Sequence, residues 1–403
     1  MSRDPVITLK PGKARPVRAG HPWIFSGAID AVRGDVRALP CVQVHDDQGQ
    51  PLGAGLYSPS SQIRVRMLHA APADHAGQLD APFFVQALTR LRRRRALFGL
   101  PAADTAAYRL VNSEGDGLPG LCVDVFGPLV VFQISTWPMS LLREAIAAAL
   151  REVFKEVEGL AIRETGAPAG IAKIEGFEPE ERWWGDAAPE RVVFVEHGVR
   201  FSIDTAQFQK TGHFADMRPH RRWIAELARG KSVLDAYSYT GGFGLFAARA
   251  GAARVVSVDS SAPAIARVLE NAALNEVADR MTGVVAKVDD YLRSAYDKGV
   301  RFDIIVLDPP KLAPSRAAAA KALKVYEAMV IQAARILEPD GLLCVTSCSE
   351  AIGLTELERV MGACAERTGR VFDAVYVGAQ GVDHPWPASM PEGRYATFLG
   401  CVG

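Results

Sequence analysis

Cys348, in the run Thr346-Ser347-Cys348-Ser349, has the setting of a nucleophile rather than of a core residue. It follows an apolar run, Leu342 to Val345, and polar residues flank it. Cys344 lies inside that run and reads as a small buried hydrophobe. A thiolate is what a poor carbon nucleophile needs. Added to carbon 6 of cytosine, it makes carbon 5 enamine-like and able to take a methyl group, which is covalent catalysis. Asp308 opens Asp308-Pro309-Pro310-Lys311 after a second apolar run, Phe302 to Leu307. The prolines keep this carboxylate in a stiff loop and out of a helix, where it can hold the N3 and N4 edge of a planar base. Enzymes that methylate exocyclic nitrogens tend to carry an aromatic residue after the prolines. Lys311 stands there instead, which argues against that chemistry.

A cofactor site is written next to these residues. Asp235 ends Val233-Leu234-Asp235, and the chain then runs Tyr237-Ser238-Tyr239-Thr240-Gly241-Gly242-Phe243-Gly244. Glycines let the backbone approach a ligand closely, and a helix that follows offers free N–H groups. The spacing is not G-x-G-x-x-G, so a dinucleotide pyrophosphate is not the natural guest. Asp259, at the end of Val255 to Val258, can accept hydrogen bonds from ribose hydroxyls. A nucleoside cofactor without a pyrophosphate satisfies both observations, and S-adenosylmethionine is the candidate. The plainer alternative is a turn-forming glycine cluster with an N-capping aspartate.

The elements that must carry these residues are strands and helices in alternation. Four short runs rich in Val, Ile and Leu fit buried parallel strands. Segments with helical spacing lie between them, such as Leu245 to Ala250 and Ala262 to Asn275. The alternation predicts an α/β fold, a parallel, doubly wound sheet with ligands at the carboxyl ends of its strands. Asp235, Asp259, Asp308 and Cys348 all fall at such ends.

Upstream, residues 1–69 read as a small β domain with alternating runs at Val42 to Val44 and Ile63 to Met67. His21-Pro22-Trp23-Ile24-Phe25 reads there as an apolar plug, preceded by a Gly/Pro-bearing segment with Lys10, Lys13, Arg15 and Arg18, either a solvated loop or a phosphate-contacting surface. Residues 70–81 are a linker, and residues 82–190 an α+β middle domain without a catalytic constellation. That domain opens on a helix whose apolar face is Phe83, Phe84, Ala87, Leu88 and Leu91. The helix ends in Arg90, Arg92, Arg93, Arg94 and Arg95, which are either a solvated helix end or an RNA-facing patch. Strands at 121–126 and 129–134 form a hairpin around Gly127-Pro128, and a helix runs from Ser140 to Phe154. Residues 191–403 carry the catalytic domain, whose loop Gln209-Lys210-Thr211-Gly212 precedes a helix beginning at Arg218.

The chain has 403 residues, 49% of them hydrophobic, and a formal net charge of zero. That length predicts two or three domains, and neutrality leaves room for a local basic patch. No signal peptide or membrane span is expected. The six cysteines are scattered, with no C-x-x-C pair or histidine cluster to suggest a metal. Reduced thiols in a cytoplasm are the expectation.

Several motifs together resemble the PUA-containing ribosomal RNA cytosine-5 methyltransferase family, which acts on large-subunit RNA. They are Pro11-Gly12-Lys13, His21 to Ile29, Tyr108 to Leu121 and Gln209-Lys210-Thr211-Gly212. Asp308 to Lys311, Thr346 to Ser349, Asp383-His384-Pro385 and Pro391-Glu392-Gly393 complete the set. The resemblance covers nearly the whole chain. It implies a Rossmann-like class I methyltransferase domain preceded by a PUA domain, with Cys348 as nucleophile and Asp308 at the base. Cofactor contacts are expected from Gln209, Lys210, Asp235, Tyr237, Thr240, Gly241, Gly242, Asp259 and Asp308. RNA contacts are expected from Lys10, Lys13, Arg15, Arg92, Arg93 and Lys311. Where the family has Asp-Gln-Arg this chain has Asp216-Met217-Arg218. The family's acid at the adenine falls near Lys287, with Asp289 next in line to replace it. The alternatives are an N-methyltransferase acting on a purine of RNA, with Cys348 merely structural, and an inactive RNA-binding assembly factor. Whether a homodimer forms is left open.

Overall fold

The computed structural model describes residues 5–36, 41–71, 79–185, 187–205 and 211–403. It divides into two compact units, one of residues 1–194, 203–215 and 382–393, the other of residues 195–202, 216–381 and 394–403.

The first unit contains a six-stranded sheet, in spatial order Trp23–Phe25, Ile63–Met67, Pro51–Tyr57, Cys41–His45, Val6–Leu9 and Ile29–Arg33. Ile7, Leu9, Ile24, Val42, Val44 and Val65 form its core. Two expectations about this region need correction. The basic segment is not a loop throughout, because Ala14–Arg18 is helical and buries Ala14 and Val17. Nor is His21 to Phe25 a plug. Side chains alternate across a strand, so Ile24 is buried whereas Phe25 is 50% exposed.

Helix Ala81–Ala96, capped by Asp80, buries Phe84, Ala87, Leu88 and Leu91. It belongs to the core of a five-stranded sheet ordered Arg182–Trp183, Ala161–Thr165, Leu129–Ile134, Leu121–Phe126 and Ala107–Asn112. The helix expected from Ser140 to Phe154 spans Arg143–Val153, and a short helix, Trp137–Ser140, precedes it. The arginine run does not act as one patch. Arg95 is fully buried, with its guanidinium on Asp116 and its Nε donating to the Arg109 carbonyl at 2.7 Å. Arg92 reaches Glu156 at 2.8 Å and lies over the Phe154 ring, while Arg93 is exposed. Two motifs far apart in sequence meet here. Asp383 accepts from the Arg109 amide at 2.9 Å, and the Pro385 carbonyl accepts from the Asn112 side chain at 2.8 Å.

The second unit is built on a seven-stranded sheet. We label its strands β1 (Ser232–Ala236), β2 (Arg254–Asp259), β3 (Met281–Val285), β4 (Phe302–Leu307), β5 (Leu337–Ser347), β6 (Asp373–Ala379) and β7 (Thr397–Val402). Its helices are α1 (Arg218–Leu227), α2 (Gly242–Arg249), α3 (Ala262–Leu274), α4 (Val288–Asp297), α5 (Ala319–Arg335) and α6 (Leu354–Thr368). The strand order is β3-β2-β1-β4-β5-β7-β6. β1 to β5 are parallel, and β7 pairs antiparallel with both β5 and β6. The four apolar runs are β1, β2, β4 and β5, buried because helices cover a parallel sheet on both faces. β3 and β6 lie at the two edges, and neither is among the strands read from the sequence.

Helix α1 is fixed against the antiparallel edge by His220. Its Nε2 must donate to the Ala379 carbonyl at 2.9 Å, so its Nδ1 accepts from the Tyr376 hydroxyl at 3.1 Å. The imidazole stacks on Phe398 at 4.5 Å, and burial pushes its pKa down to about 4. A Cβ at residue 378 would lie 2.1 Å from this ring, which requires Gly378.

The Arg95–Asp116 pair gives a test of the first unit. Removing one partner of a buried pair leaves an uncompensated charge, typically at a cost of about 3–5 kcal/mol. Asp116→Ala is therefore expected to destabilise by about that amount in urea unfolding. Replacing both partners with apolar residues of similar volume should recover most of the loss.

Candidate active site

Strand register levels the ends of β1, β2, β4 and β5. Ala236 stands beside both Val258 and Leu307, and Leu307 beside Val345. Past these residues β4 ends at once, β2 runs one residue further to Asp259, and β5 stays paired with β7 through Ser347. The Asp308 amide donates to the Ala236 carbonyl at 3.3 Å. The Thr346 hydroxyl donates to Asp308 Oδ1. Cys348 follows the last residue of β5. It is partly exposed, whereas Cys344 is fully buried and burial pushes its thiol well up.

The loop after β1 is strained. Tyr237 and Tyr239 have positive φ values of 61° and 48°, a region that costs a side-chain-bearing residue energy and often marks functional sites. Gly241 follows at φ 88° and starts α2. Asp259 organises this loop: its two carboxylate oxygens accept the Tyr239 amide at 3.0 Å and the Ser261 amide at 2.9 Å. Each oxygen has a second lone pair, so a ribose hydroxyl remains a compatible partner. Asp235 Oδ2 accepts the Gly244 amide at 2.8 Å. A Cβ on residue 244 would come within 2.8 Å of Ser257 Oγ and 3.0 Å of Asp235, so only glycine brings α2 this close.

Burial pushes the Asp235 carboxyl up to about 8, with the Gly244 bond opposing and the Asp308 charge adding to the rise. Tyr237 is pushed up to about 12 by burial and the nearby Asp289 charge. Asp289 itself is exposed in the first turn of α4, beside Lys287 at its N-cap. Thr240 is buried, its carbonyl accepting from the Asn271 amide at 3.3 Å. Gln209 and Lys210 lie outside the described residues. Lys311 is exposed just past Pro310. The basic residues Lys10, Lys13, Arg15 and Arg93 are exposed in the first unit.

Several residues that shape the site were not singled out by sequence reasoning. Asn271 bridges the Ser202 amide and the Thr240 carbonyl. Its signal was a polar side chain on the apolar stripe of α3, which includes Val268 and Ala272. Arg221, paired with buried Glu196 at 2.6 Å, backs Gly242 so closely that a Cβ there would lie 2.7 Å from its Nε. Tyr326 sits on the buried stripe of α5 and donates to the Thr346 carbonyl at 3.1 Å. Among the described residues there is no metal-binding cluster and no helix long and apolar enough to cross a membrane.

A strained glycine turn, two acids after neighbouring strands and a closely approached helix N-terminus suit a nucleoside ligand that also carries positive charge. Residues 177–365 match the family S-adenosylmethionine-dependent methyltransferase, and residues 7–70 match the PUA-like domain. The class is therefore that of S-adenosylmethionine-dependent methyltransferases with an N-terminal PUA-like domain. Ribosomal RNA large subunit methyltransferase I of Vibrio vulnificus is 33% identical over 399 residues, 98% of either chain. The protein of that name from Shewanella denitrificans is 34% identical over 396 residues, again 98% of each. The chain belongs to the ribosomal RNA large subunit methyltransferase I family. Among solved structures, SMU.776, described as a methyltransferase and complexed with SAH, has the same fold. The TM-score is 0.83 at 21% identity, covering 99% of this chain and 100% of that one.

Two measurements test this assignment of residues. Asp259→Ala should weaken S-adenosylmethionine binding by about 1.5–3 kcal/mol in calorimetry, the range for hydrogen bonds to a charged group. Unchanged affinity would remove Asp259 from the site. Asp235, whose carboxyl is held far above its ordinary value of 3.8, binds more protons folded than unfolded between about pH 4 and 8. Its contribution to stability therefore declines as pH rises through that window. Asp235→Asn should flatten this decline in thermal unfolding.

Proposed function

We propose that this enzyme forms 5-methylcytosine in large-subunit ribosomal RNA through Cys348. The observation that carries the reading is the placement of a partly exposed thiol and a carboxylate just beyond adjacent parallel strands. The names of the relatives support a large-subunit RNA substrate, and the PUA-like domain supports RNA contact. S-adenosylmethionine, when bound, supplies an electrophilic methyl group. The target cytosine flips out of its stack into the site. Asp308 holds the pyrimidine edge while the Cys348 thiolate adds to carbon 6. Carbon 5 then takes the methyl group, loses its proton to a base, and the carbon–sulfur bond breaks to free the thiolate.

In this reading Asp235, Tyr237, Thr240, Gly241, Gly242, Asp259 and Asp289 serve the cofactor, with Gln209 and Lys210 from the preceding loop, and Asp308 borders cofactor and base alike. Lys10, Lys13, Arg15, Arg93 and Lys311 face phosphate. Arg92, engaged with Glu156, would have to leave that partner to join them. The cytoplasm is the compartment we propose. None of these observations supports a homodimer.

Cys348→Ser should keep the fold and S-adenosylmethionine binding and lose methylation by orders of magnitude, since serine is a far poorer nucleophile at neutral pH. Large-subunit RNA carrying 5-fluorocytosine should trap the wild type covalently, because fluorine cannot leave as a proton does. The variant should form no adduct on a denaturing gel. Methylation by Cys348→Ser at near the wild-type rate would favour N-methylation instead.

A further inference from the structure

We propose that Thr346 is a positioning residue of this site, its hydroxyl fixing the orientation of Asp308 and so the alignment of the pyrimidine edge against Cys348. The proposal rests on the cytosine-5 reading above.

Thr346 is fully buried near the end of β5, and its Oγ1 donates to Asp308 Oδ1. Its main chain is held from two sides. Antiparallel pairing sets it opposite Phe398 of β7, and its carbonyl accepts from Tyr326. Tyr326 is itself fully buried, and burial pushes its phenol up, so it remains a neutral donor. A β-branched side chain on a fixed backbone has few χ1 choices. The hydroxyl is thus aimed before any substrate arrives.

A carboxylate is symmetric about its C–C bond and turns easily unless a donor holds it. Thr346 supplies a donor from the strand that carries Cys348, two residues further on. One residue therefore ties the loop that grips the base to the segment that attacks it. The hydroxyl also favours the ionised form of Asp308. That form accepts from the cytosine amino group.

The test uses the full-length enzyme with unmodified large-subunit ribosomal RNA made by transcription and a labelled methyl donor. Thr346→Val should lower kcat by about 10- to 100-fold, the scale for a misplaced reacting group. S-adenosylmethionine affinity and melting temperature should stay close to wild type. Loss of the donor raises the Asp308 pKa, so the acidic limb of the pH–rate profile should move to higher pH. Thr346→Ser, which keeps the hydroxyl, should restore both rate and profile. Formation of the 5-fluorocytosine adduct should slow in Thr346→Val in proportion to kcat. Wild-type kcat and an unshifted profile in Thr346→Val would overturn the proposal. So would parallel losses of cofactor affinity or folding in Val and Ser variants alike, which indicate a structural part only. If the wild type forms no adduct, the cytosine-5 reading falls and this proposal with it. If the adduct forms normally in both wild type and Thr346→Val, only the role of Thr346 is refuted.

Discussion

Parallel strand register is the constraint on which the catalytic unit depends. Asp235, Asp259, Asp308 and Cys348 are spread over more than a hundred positions of sequence. They become neighbours because Ala236, Val258, Leu307 and Val345 lie level across four hydrogen-bonded strands. A shift of one residue would turn every side chain of a strand to the opposite face. In an interior strand buried on both sides, such a slip also breaks the packing of both helical layers. The hydrophobic core therefore sets the placement of the polar residues at the strand ends, although none of those residues contributes apolar area.

The same levelling crowds negative charge. Asp235 is buried beside a second carboxylate and near a third, and its proton is held up to about pH 8 chiefly by loss of water. A pocket walled in this way is matched to a ligand bearing positive charge, as the sulfonium and ammonium groups of S-adenosylmethionine do. Fixed backbone amides hold two of the acids in place, those of Tyr239 and Ser261 on Asp259 and that of Gly244 on Asp235. The strained Tyr237 and Tyr239 conformations are the structural consequence of bending the chain tightly enough to aim those amides.

Much of this was legible in the sequence because the relevant signals are local. A buried parallel strand announces itself as an apolar run, and an acid or thiol just after it is visible without tertiary knowledge. What escaped reading depends on position within the sheet. β3 and β6 are edges, and β6 leaves Val375 and Val377 exposed where an interior strand would bury them. Thr346 was noted only as a polar neighbour of Cys348, because its partner comes from another strand and no spacing rule links position 346 to 308. The arginines after Leu91 illustrate the reverse error. As a charge run they suggest one surface, yet the helix turns Arg95 inward to Asp116, and composition cannot show which member of a run faces the core.

The first compact unit is discontinuous: residues 382–393 return to it after the chain has built almost all of the second. During synthesis, the amide of Arg109 and the side chain of Asn112 wait for Asp383 and Pro385 until nearly the whole polypeptide has left the ribosome. The segment made first is thus among the last to be completed. Vectorial folding cannot finish the amino-terminal unit in advance, and the loop closed by these contacts encloses the strands that carry the chemistry. A break anywhere within that loop would separate the two unit-forming ends of the chain. For this molecule, therefore, cutting between the two units does not yield two independent proteins.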